Sequence, residues 1–245
     1  MTVQPTRRLG LMIPSSNTMM EVDFARHAPP GTAVHTARMY MEDTTPEGEN
    51  RMLDEFALPA ARDIGTARPD VVVFGCTSAG ALRGNEYDQQ LCQRISELAG
   101  APTVSTIGSV RQAIEAAGAA RIGVITPYVD QLNEKIKASI EADGPEVVRI
   151  AGLGITENFD IAQVGHEQIV SFAVGALGDL AESGAIDLVF ASCTNFGAMS
   201  ARQAIAGRLG LPVITSNQAV FDAALARGWT CWPPEVAGGG RKGRG

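Results

Sequence analysis

The sequence lacks an excess of basic residues: 20 lysines and arginines face 27 aspartates and glutamates, a formal net charge of −7. Because a nucleic acid partner requires a basic face, we expect none. The sequence also lacks any apolar run near the roughly 20 residues that a membrane-spanning helix needs. Its first residues lead directly into a strand pattern, which leaves no room for a signal peptide. We therefore expect a cytoplasmic protein that does not bind membranes.

Patterns typical of metal sites and of serine hydrolases are missing as well. The four cysteines form no C-x-x-C pair, and the three histidines show no metal-ligand spacing. We expect no metal, and reduced thiols in a cytoplasmic chain. The absence of a G-x-S-x-G motif disfavours a Ser-His-Asp hydrolase.

What the sequence does contain is an internal repeat. The segment DVVVFGCTS contains Cys76, and the related segment DLVFASCTN contains Cys193. A second pair, RLGLMIP and RIGVITP, recurs at nearly the same offset. Two related halves, each with a cysteine where a buried strand ends, predict two thiols that face one another across a cleft. This arrangement favours an enzyme that uses paired cysteines as nucleophile or acid and base.

The hydrophobic pattern alternates strands and helices along the chain. It predicts an α/β fold of two pseudo-symmetric lobes, each a parallel sheet of about four strands flanked by helices. The active site should lie in the cleft between the lobes, at the carboxyl ends of the strands. Strands are predicted at Leu9–Ile13, Val34–Arg38, Val71–Phe74, Thr103–Ser105, Ile122–Ile125, Val147–Gly152, Leu188–Ala191 and Val213–Thr215. Helices are predicted at Glu47–Ala67 (kinked or split by Pro59), Glu86–Leu98, Gly108–Ala117, Val129–Ala142, Ala162–Ser183, Ala198–Leu209 and Asn217–Ala226.

The repeat places the boundary between the lobes near residue 115. We expect an N-terminal lobe over residues 1–115 and a C-terminal lobe over residues 116–215. Residues 216–235 are predicted to return to the first lobe and complete it. The Gly- and Arg-rich tail at residues 236–245 is predicted to be disordered.

Four strand-end loops are rich in small hydroxyl and amide residues: IPSSNT, GCTSAG, TPYVDQLN and SCTNFG. Their backbone N–H groups should bind an anion without a formal positive charge. The same environment should lower the pKa of a thiol toward neutrality. The loops therefore predict reactive thiols at Cys76 and Cys193, whereas Cys92 and Cys231 fit structural positions.

These motifs resemble the maleate isomerase and arylmalonate decarboxylase group of the aspartate/glutamate racemase superfamily. The resemblance covers about residues 7–230 and rests on PSSNT at 14–18, GCTS at 75–78, Pro-Tyr at 127–128, GIT-x-N at 154–158 and SCTN at 192–195. The decarboxylases of this group carry glycine where Cys76 stands. The amino-acid racemases typically continue with Asn-Thr after the first cysteine and Thr-His after the second. The combination found here is most similar to maleate cis-trans isomerases.

The resemblance implies an enzyme that converts maleate or a close analogue to the trans isomer through a thiolate adduct, without a cofactor. It implies a small dicarboxylate substrate and a homodimer. Cys76 is assigned as nucleophile and Cys193 as general acid and base. The implied substrate-binding residues are Asn17, Thr77, Ser78, Tyr128, Asn158, Thr194 and Asn195. Three alternatives remain open: a two-cysteine amino-acid or hydantoin racemase, an arylmalonate-type decarboxylase, and a non-catalytic anion-binding module.

Overall fold

The protein, described here by a computed structural model over residues 7–230, contains two four-stranded parallel sheets. The first sheet has the order β2-β1-β3-β4 and the second the order β6-β5-β7-β8. The first consists of β1 (Arg7–Pro14), β2 (Thr32–Met39), β3 (Val71–Phe74) and β4 (Thr103–Ser105). The second consists of β5 (Arg121–Thr126), β6 (Glu146–Gly152), β7 (Leu188–Ala191) and β8 (Val213–Thr215). The identical order confirms the predicted pair of pseudo-symmetric lobes.

Helices flank both sheets. The first half contains α1 (Met20–His27), α2 (Pro46–Arg51), a π-helical turn (Met52–Phe56), α3 (Ala57–Gly65), α4 (Thr77–Leu82), α5 (Asn85–Ala99) and α6 (Thr106–Ala117). The second half contains α7 (Asp130–Glu141), α8 (Asn158–Ile161), α9 (His166–Glu182), α10 (Ala198–Leu209) and α11 (Ser216–Ala226).

The helix predicted at Glu47–Ala67 is divided into three segments, as Pro59 led us to expect. Proline has no N–H to donate to the carbonyl of Glu55, and the π-helical turn lies immediately before this defect. Three short helices, α1, α4 and α8, were not predicted. The sequence of α4 is TSAGAL, whose mostly small residues carry no helical pattern of polar and apolar positions.

Helix α11 packs on the first sheet, although it follows the last strand of the second. Its residue Phe221 joins Leu9 and Leu11 of β1, together with Phe24 and Trp229, in one buried cluster. We propose that the segment from residue 216 onward completes the first lobe, as its sequence position predicted. The remainder of that segment, Cys231 and the tail at residues 236–245 lie outside the described residues.

Between residues 7 and 230, no helix is long and apolar enough to cross a membrane. Over the same residues, no group of three or more histidine, cysteine or acidic side chains could hold a metal ion.

Candidate active site

The ends of β1, β3 and β7 meet at one point between the two sheets. Asn17, after β1, donates from Nδ2 to Thr194 Oγ1 at 3.0 Å. Thr194, after β7, in turn donates to the carbonyl of Gly75 at the end of β3, at 3.1 Å. Both Asn17 and Thr194 are buried. These bonds join the two lobes at the place where the sequence predicted the cleft.

Asn17 and Asn195 both hold the start of α1. Asn17 Oδ1 accepts from the backbone N–H groups of Met19 and Met20, at 3.1 and 3.0 Å. Asn195 Oδ1 reaches across from the other lobe and accepts from Thr18 N at 2.9 Å. Because the side-chain oxygens are occupied, each asparagine can offer a substrate only the remaining N–H of its amide. Their predicted role in substrate binding stays a prediction, limited to donation.

The two cysteines differ in backbone conformation despite their matched positions. Cys76 is extended, with φ −144° and ψ 115°, and immediately precedes α4. Cys193 has φ +94°, a left-handed conformation that is strained for a residue with a side chain. Ser216 Oγ accepts from Cys193 N at 3.0 Å and from Thr77 Oγ1 at 2.9 Å. Ser216 therefore couples the strained cysteine to the loop that carries the other one.

Tyr128 and Asn158 complete the set of predicted residues. Hydrogen bonding from the Tyr128 hydroxyl opposes the rise in the pKa of Cys193, so the two groups are neighbours. Asn158 Nδ2 donates to Ser16 Oγ at 2.8 Å, and Asn158 Oδ1 accepts from Thr44 Oγ1 at 3.1 Å. The structure thus brings all nine sequence-predicted site residues to one buried region between the sheets.

The expectation of a lowered thiol pKa is wrong for the site as the structure has it. Burial raises the pKa of Cys193 to about 11, against the opposing effects of the Tyr128 hydroxyl and the backbone N–H groups of Asn195 and Phe196. Burial and the negative charge of Glu49 raise the pKa of Cys76 well above its ordinary value. The strand-end N–H groups act in the predicted direction, but desolvation outweighs them.

Two loops, one from each lobe, close over the site. Thr44 N donates to Thr156 O at 2.6 Å, and Asn158 N donates to Glu42 O at 2.9 Å. Beneath them Cys76 is only 4 % exposed and Cys193 only 6 %. Both thiols are therefore nearly sealed from solvent in this structure, and we propose that a substrate reaches them when these loops separate.

Sequence reasoning missed Glu49, Ser216 and Thr44. Ser216 follows the end of β8, so the strand-end rule that found the other loops could have found it. Glu49 lies in the first turn of α2, where acidic residues are common because they favour the helix dipole. Nothing in the sequence indicates that its side chain is completely buried.

Comparison with known proteins agrees with this fold. The arylmalonate decarboxylase family profile matches residues 9–240. The maleate isomerase of Geobacillus stearothermophilus is 28% identical over 222 residues, covering 85% of this chain and 86% of that protein. The arylmalonate decarboxylase of Bordetella bronchiseptica is 26% identical over 239 residues, covering 98% of this chain and 94% of that protein.

A solved structure supports the same relationship. A cysteine-to-alanine variant of the maleate isomerase Iso from Pseudomonas putida S16, crystallised with maleate, superposes with a TM-score of 0.82. It is 25% identical, and the match covers 89% of this chain and 90% of that one. The similarity extends over both lobes.

Proposed function

Because the chain belongs to the arylmalonate decarboxylase family, within the aspartate/glutamate racemase type of enzymes, we propose that it isomerises maleate or a close cis-butenedioate to the trans isomer. Curated relatives named maleate isomerase support the reaction class. The observation that carries the proposal is the pair of thiols, Cys76 and Cys193. They lie in one buried region, close enough for the charge of one to raise the pKa of the other.

The proposed reaction begins when the Cys76 thiolate adds to one alkene carbon. A C–S bond forms, and the alkene electron pair moves onto the neighbouring carboxylate as an enediolate. Cys193 donates a proton to the other alkene carbon, which is not bonded to sulfur, and removes a proton from it again after rotation about the new single bond. Expulsion of the Cys76 thiolate then restores the double bond in the trans geometry.

The nucleophile must be a thiolate, so the raised pKa of Cys76 has to be overcome. Burial is the largest cause of that raised pKa. Opening the two loops to water moves the pKa back toward its ordinary value, so we assign thiolate formation to the open state. Closure then surrounds the thiolate and the substrate with donors.

Addition of an anion to a dianion requires hydrogen-bond donors at both carboxylates. We assign this task to the Tyr128 hydroxyl, the free amide N–H groups of Asn17 and Asn158, and the loops containing Thr77, Ser78, Thr194 and Asn195. One well-placed donor to a developing oxyanion contributes about 2.7–4 kcal/mol.

The direct test is to incubate the purified protein with maleate and to follow fumarate by proton NMR. We expect Cys76→Ala and Cys193→Ala each to abolish isomerisation, and Cys92→Ala, on α5 and outside the site, to retain it. A substrate-sized mass increase on the Cys76 peptide is expected when Cys193 is replaced. Isomerisation at the parental rate by either active-site variant would contradict the proposal, and an adduct confined to Cys193 would reverse the two roles.

A two-thiol racemase of amino acids or hydantoins is the second candidate, favoured by the presence of both cysteines. There one thiol would remove the proton of a stereocentre while the other returned it from the opposite face. Deuterium incorporation from heavy water into D- or L-aspartate distinguishes this reaction from loss of maleate. The resemblance disfavours decarboxylation, because decarboxylases carry glycine at the position of Cys76. Absence of a cofactor, a homodimeric state and a cytoplasmic location remain parts of the proposal.

A further inference from the structure

A carboxyl group that the mechanism above does not use lies inside the site. Glu49 belongs to α2, which begins at Pro46 after Thr45 accepts a hydrogen bond from Gly48 N at 3.2 Å. The helix packs against α4, the helix that follows Cys76. This packing buries the Glu49 side chain completely.

The two oxygens of Glu49 have different surroundings. Oε1 accepts a hydrogen bond from the Ser78 hydroxyl. Oε2 is buried and has no hydrogen-bond partner among residues 7–230. The same Ser78 oxygen lies 4.0 Å from the Cys76 sulfur. The carboxyl group is therefore next to the proposed nucleophile, with one oxygen free to bind something else.

The titratable groups around Glu49 become negatively charged when they lose a proton, so none of them can neutralise its carboxylate. Its charge raises the pKa of Cys76, of Cys193 and of Tyr128. On its own helix Arg51 pairs with Glu55, and Arg83, immediately after α4, pairs with Asp54.

Among the described residues no cation contributes to the pKa of Glu49 itself, which burial raises to about 8 despite the opposing hydrogen bond from Ser78. Below that pH the group is a neutral carboxylic acid.

A neutral acid explains the hydrogen bonds better than a carboxylate. In a carboxylic acid one oxygen is the carbonyl acceptor and the other carries the proton. The bond from Ser78 marks Oε1 as the acceptor, which leaves Oε2 as a hydroxyl that can donate. An ionised Oε2 without a partner would instead be a buried, unpaired negative charge.

We propose that Glu49 is a further substrate-binding residue, which holds a dicarboxylate as a neutral acid by donating a hydrogen bond from Oε2 to one substrate carboxylate. The inference rests on the proposed function, since it takes the substrate to be a small dicarboxylate. Glu49 thereby supplies a donor beside Cys76, where the buried side chains of residues 7–230 include no lysine or arginine to neutralise the anion.

Proton linkage tests this role without relying on turnover. Glu49 carries its proton below about pH 8 and loses it above. A dianion binds the protonated form, so affinity falls as the pH rises through that value. For succinate, a saturated dicarboxylate, we expect the Kd of the wild-type protein to be about tenfold weaker at pH 9 than at pH 7. Calorimetry at pH 9 in buffers of different ionisation enthalpy should show uptake of about one proton on binding.

Two substitutions separate neutrality from donation. Glu49→Gln cannot ionise but keeps a donor, so we expect equal succinate affinity at pH 7 and pH 9 and no proton uptake. Glu49→Leu is neutral without a donor, so we expect about tenfold weaker binding than Glu49→Gln at pH 7.

The matched control is Asp88→Asn. Asp88 is another buried carboxyl that accepts from a serine, Ser105, but it lies outside the site. This variant should keep the wild-type pH dependence. A pH dependence that persists in Glu49→Gln, or equal binding by the Gln and Leu variants at pH 7, would overturn the inference alone. If neither succinate nor maleate bound the wild-type protein at pH 7, the proposed function would fail together with it.

Discussion

At the residue scale, Cys193 stands out because its backbone adopts φ +94°. The Cβ atom makes this conformation unfavourable for every residue except glycine. Two hydrogen bonds fix this part of the backbone. Ser192 N donates to Ile125 O at 2.9 Å, and Cys193 N donates to Ser216 Oγ. The surrounding bonds therefore hold the sulfur in place at a conformational cost.

This strain predicts opposite responses to glycine at the two cysteines. At position 193, Cys193→Gly should be more stable than Cys193→Ala by about 1 kcal/mol, since glycine adopts positive φ freely. At position 76, where φ is −144°, Cys76→Gly should be the less stable member of its pair, because glycine loses more backbone entropy. Urea denaturation of the four variants measures both differences. If the alanine variant were the more stable one at position 193 as well, the Cys193 backbone would not be strained.

Sequence reasoning found the cysteines and their polar neighbours because the repeat marked the strand ends. It gave the wrong direction for the thiol pKa, because burial cannot be read from a motif. Glu49 escaped for the same reason: a glutamate near a helix start looks solvated until the packing of α2 on α4 is known. Residue types at loops were therefore predictable, whereas their desolvation was not.

At the scale of elements, we expect the two hydrogen-bonded loops to limit access to the thiols. Thr44 is 2 % exposed and donates to Asn158 Oδ1 at 3.1 Å, which adds a side-chain bond to the backbone bonds between the loops. A net hydrogen bond contributes about 0.5–1.5 kcal/mol to such a closed state.

Removal of this bond should loosen the closed state. Thr44→Val keeps the side-chain shape but loses the hydroxyl, so we expect iodoacetamide to alkylate Cys76 about three- to tenfold faster. Mass spectrometry of the Cys76 peptide over time gives the rate. Thr66→Val, which removes an exposed hydroxyl at the end of α3, should leave it unchanged. An unchanged rate in Thr44→Val would mean that the loops do not limit access.

The inner strands β1, β3, β5 and β7 were predictable because a buried parallel strand is a short, nearly continuous apolar run. The edge strands β2 and β6 are only half-buried and have weaker apolar runs. Helices were predictable where an amphipathic pattern lasted several turns, as in α5, α7 and α9. Helix α4 was not, since it is buried along its whole length and its small residues have no polar face. The helix predicted at Ala162–Ser183 begins four residues later than expected, at His166, because Gly165 is the N-cap of α9.

At the scale of the whole molecule, one aromatic cluster fastens the end of the described chain to its beginning. Phe221 of α11 lies 5.2 Å from Phe24 of α1 and 5.4 Å from Trp229, measured between ring centroids, with both pairs edge to face. Residues that follow the last strand of the second sheet therefore pack against the first sheet.

This connection predicts that α11 stabilises the entire protein. Phe221→Ala should lower the free energy of unfolding by about 3–5 kcal/mol, the usual range for a buried phenylalanine. Phe159→Ala, at a side chain that is 49 % exposed, should change it by less than about 0.5 kcal/mol. Urea denaturation followed by tryptophan fluorescence and circular dichroism gives both values. A loss below 1 kcal/mol for Phe221→Ala would show that α11 is peripheral.

Two lobes of equal topology were predictable because several strand ends recur in the sequence. The asymmetry between them was not: of the two paired cysteines Cys193 alone has a left-handed backbone, and within residues 7–230 the one buried glutamate belongs to the first lobe. Such differences arise from contacts between distant segments, which a repeat conceals.

The burial of the two sulfur atoms also affects how fast an oxidant can react with them. Peroxide attacks thiolates, and it needs physical access to them. A resting molecule keeps both sulfurs protonated and out of reach, so it should survive oxidative stress that would damage an open one. In the proposed mechanism the loops open during each catalytic cycle, so an oxidant should inactivate the enzyme faster during turnover than at rest.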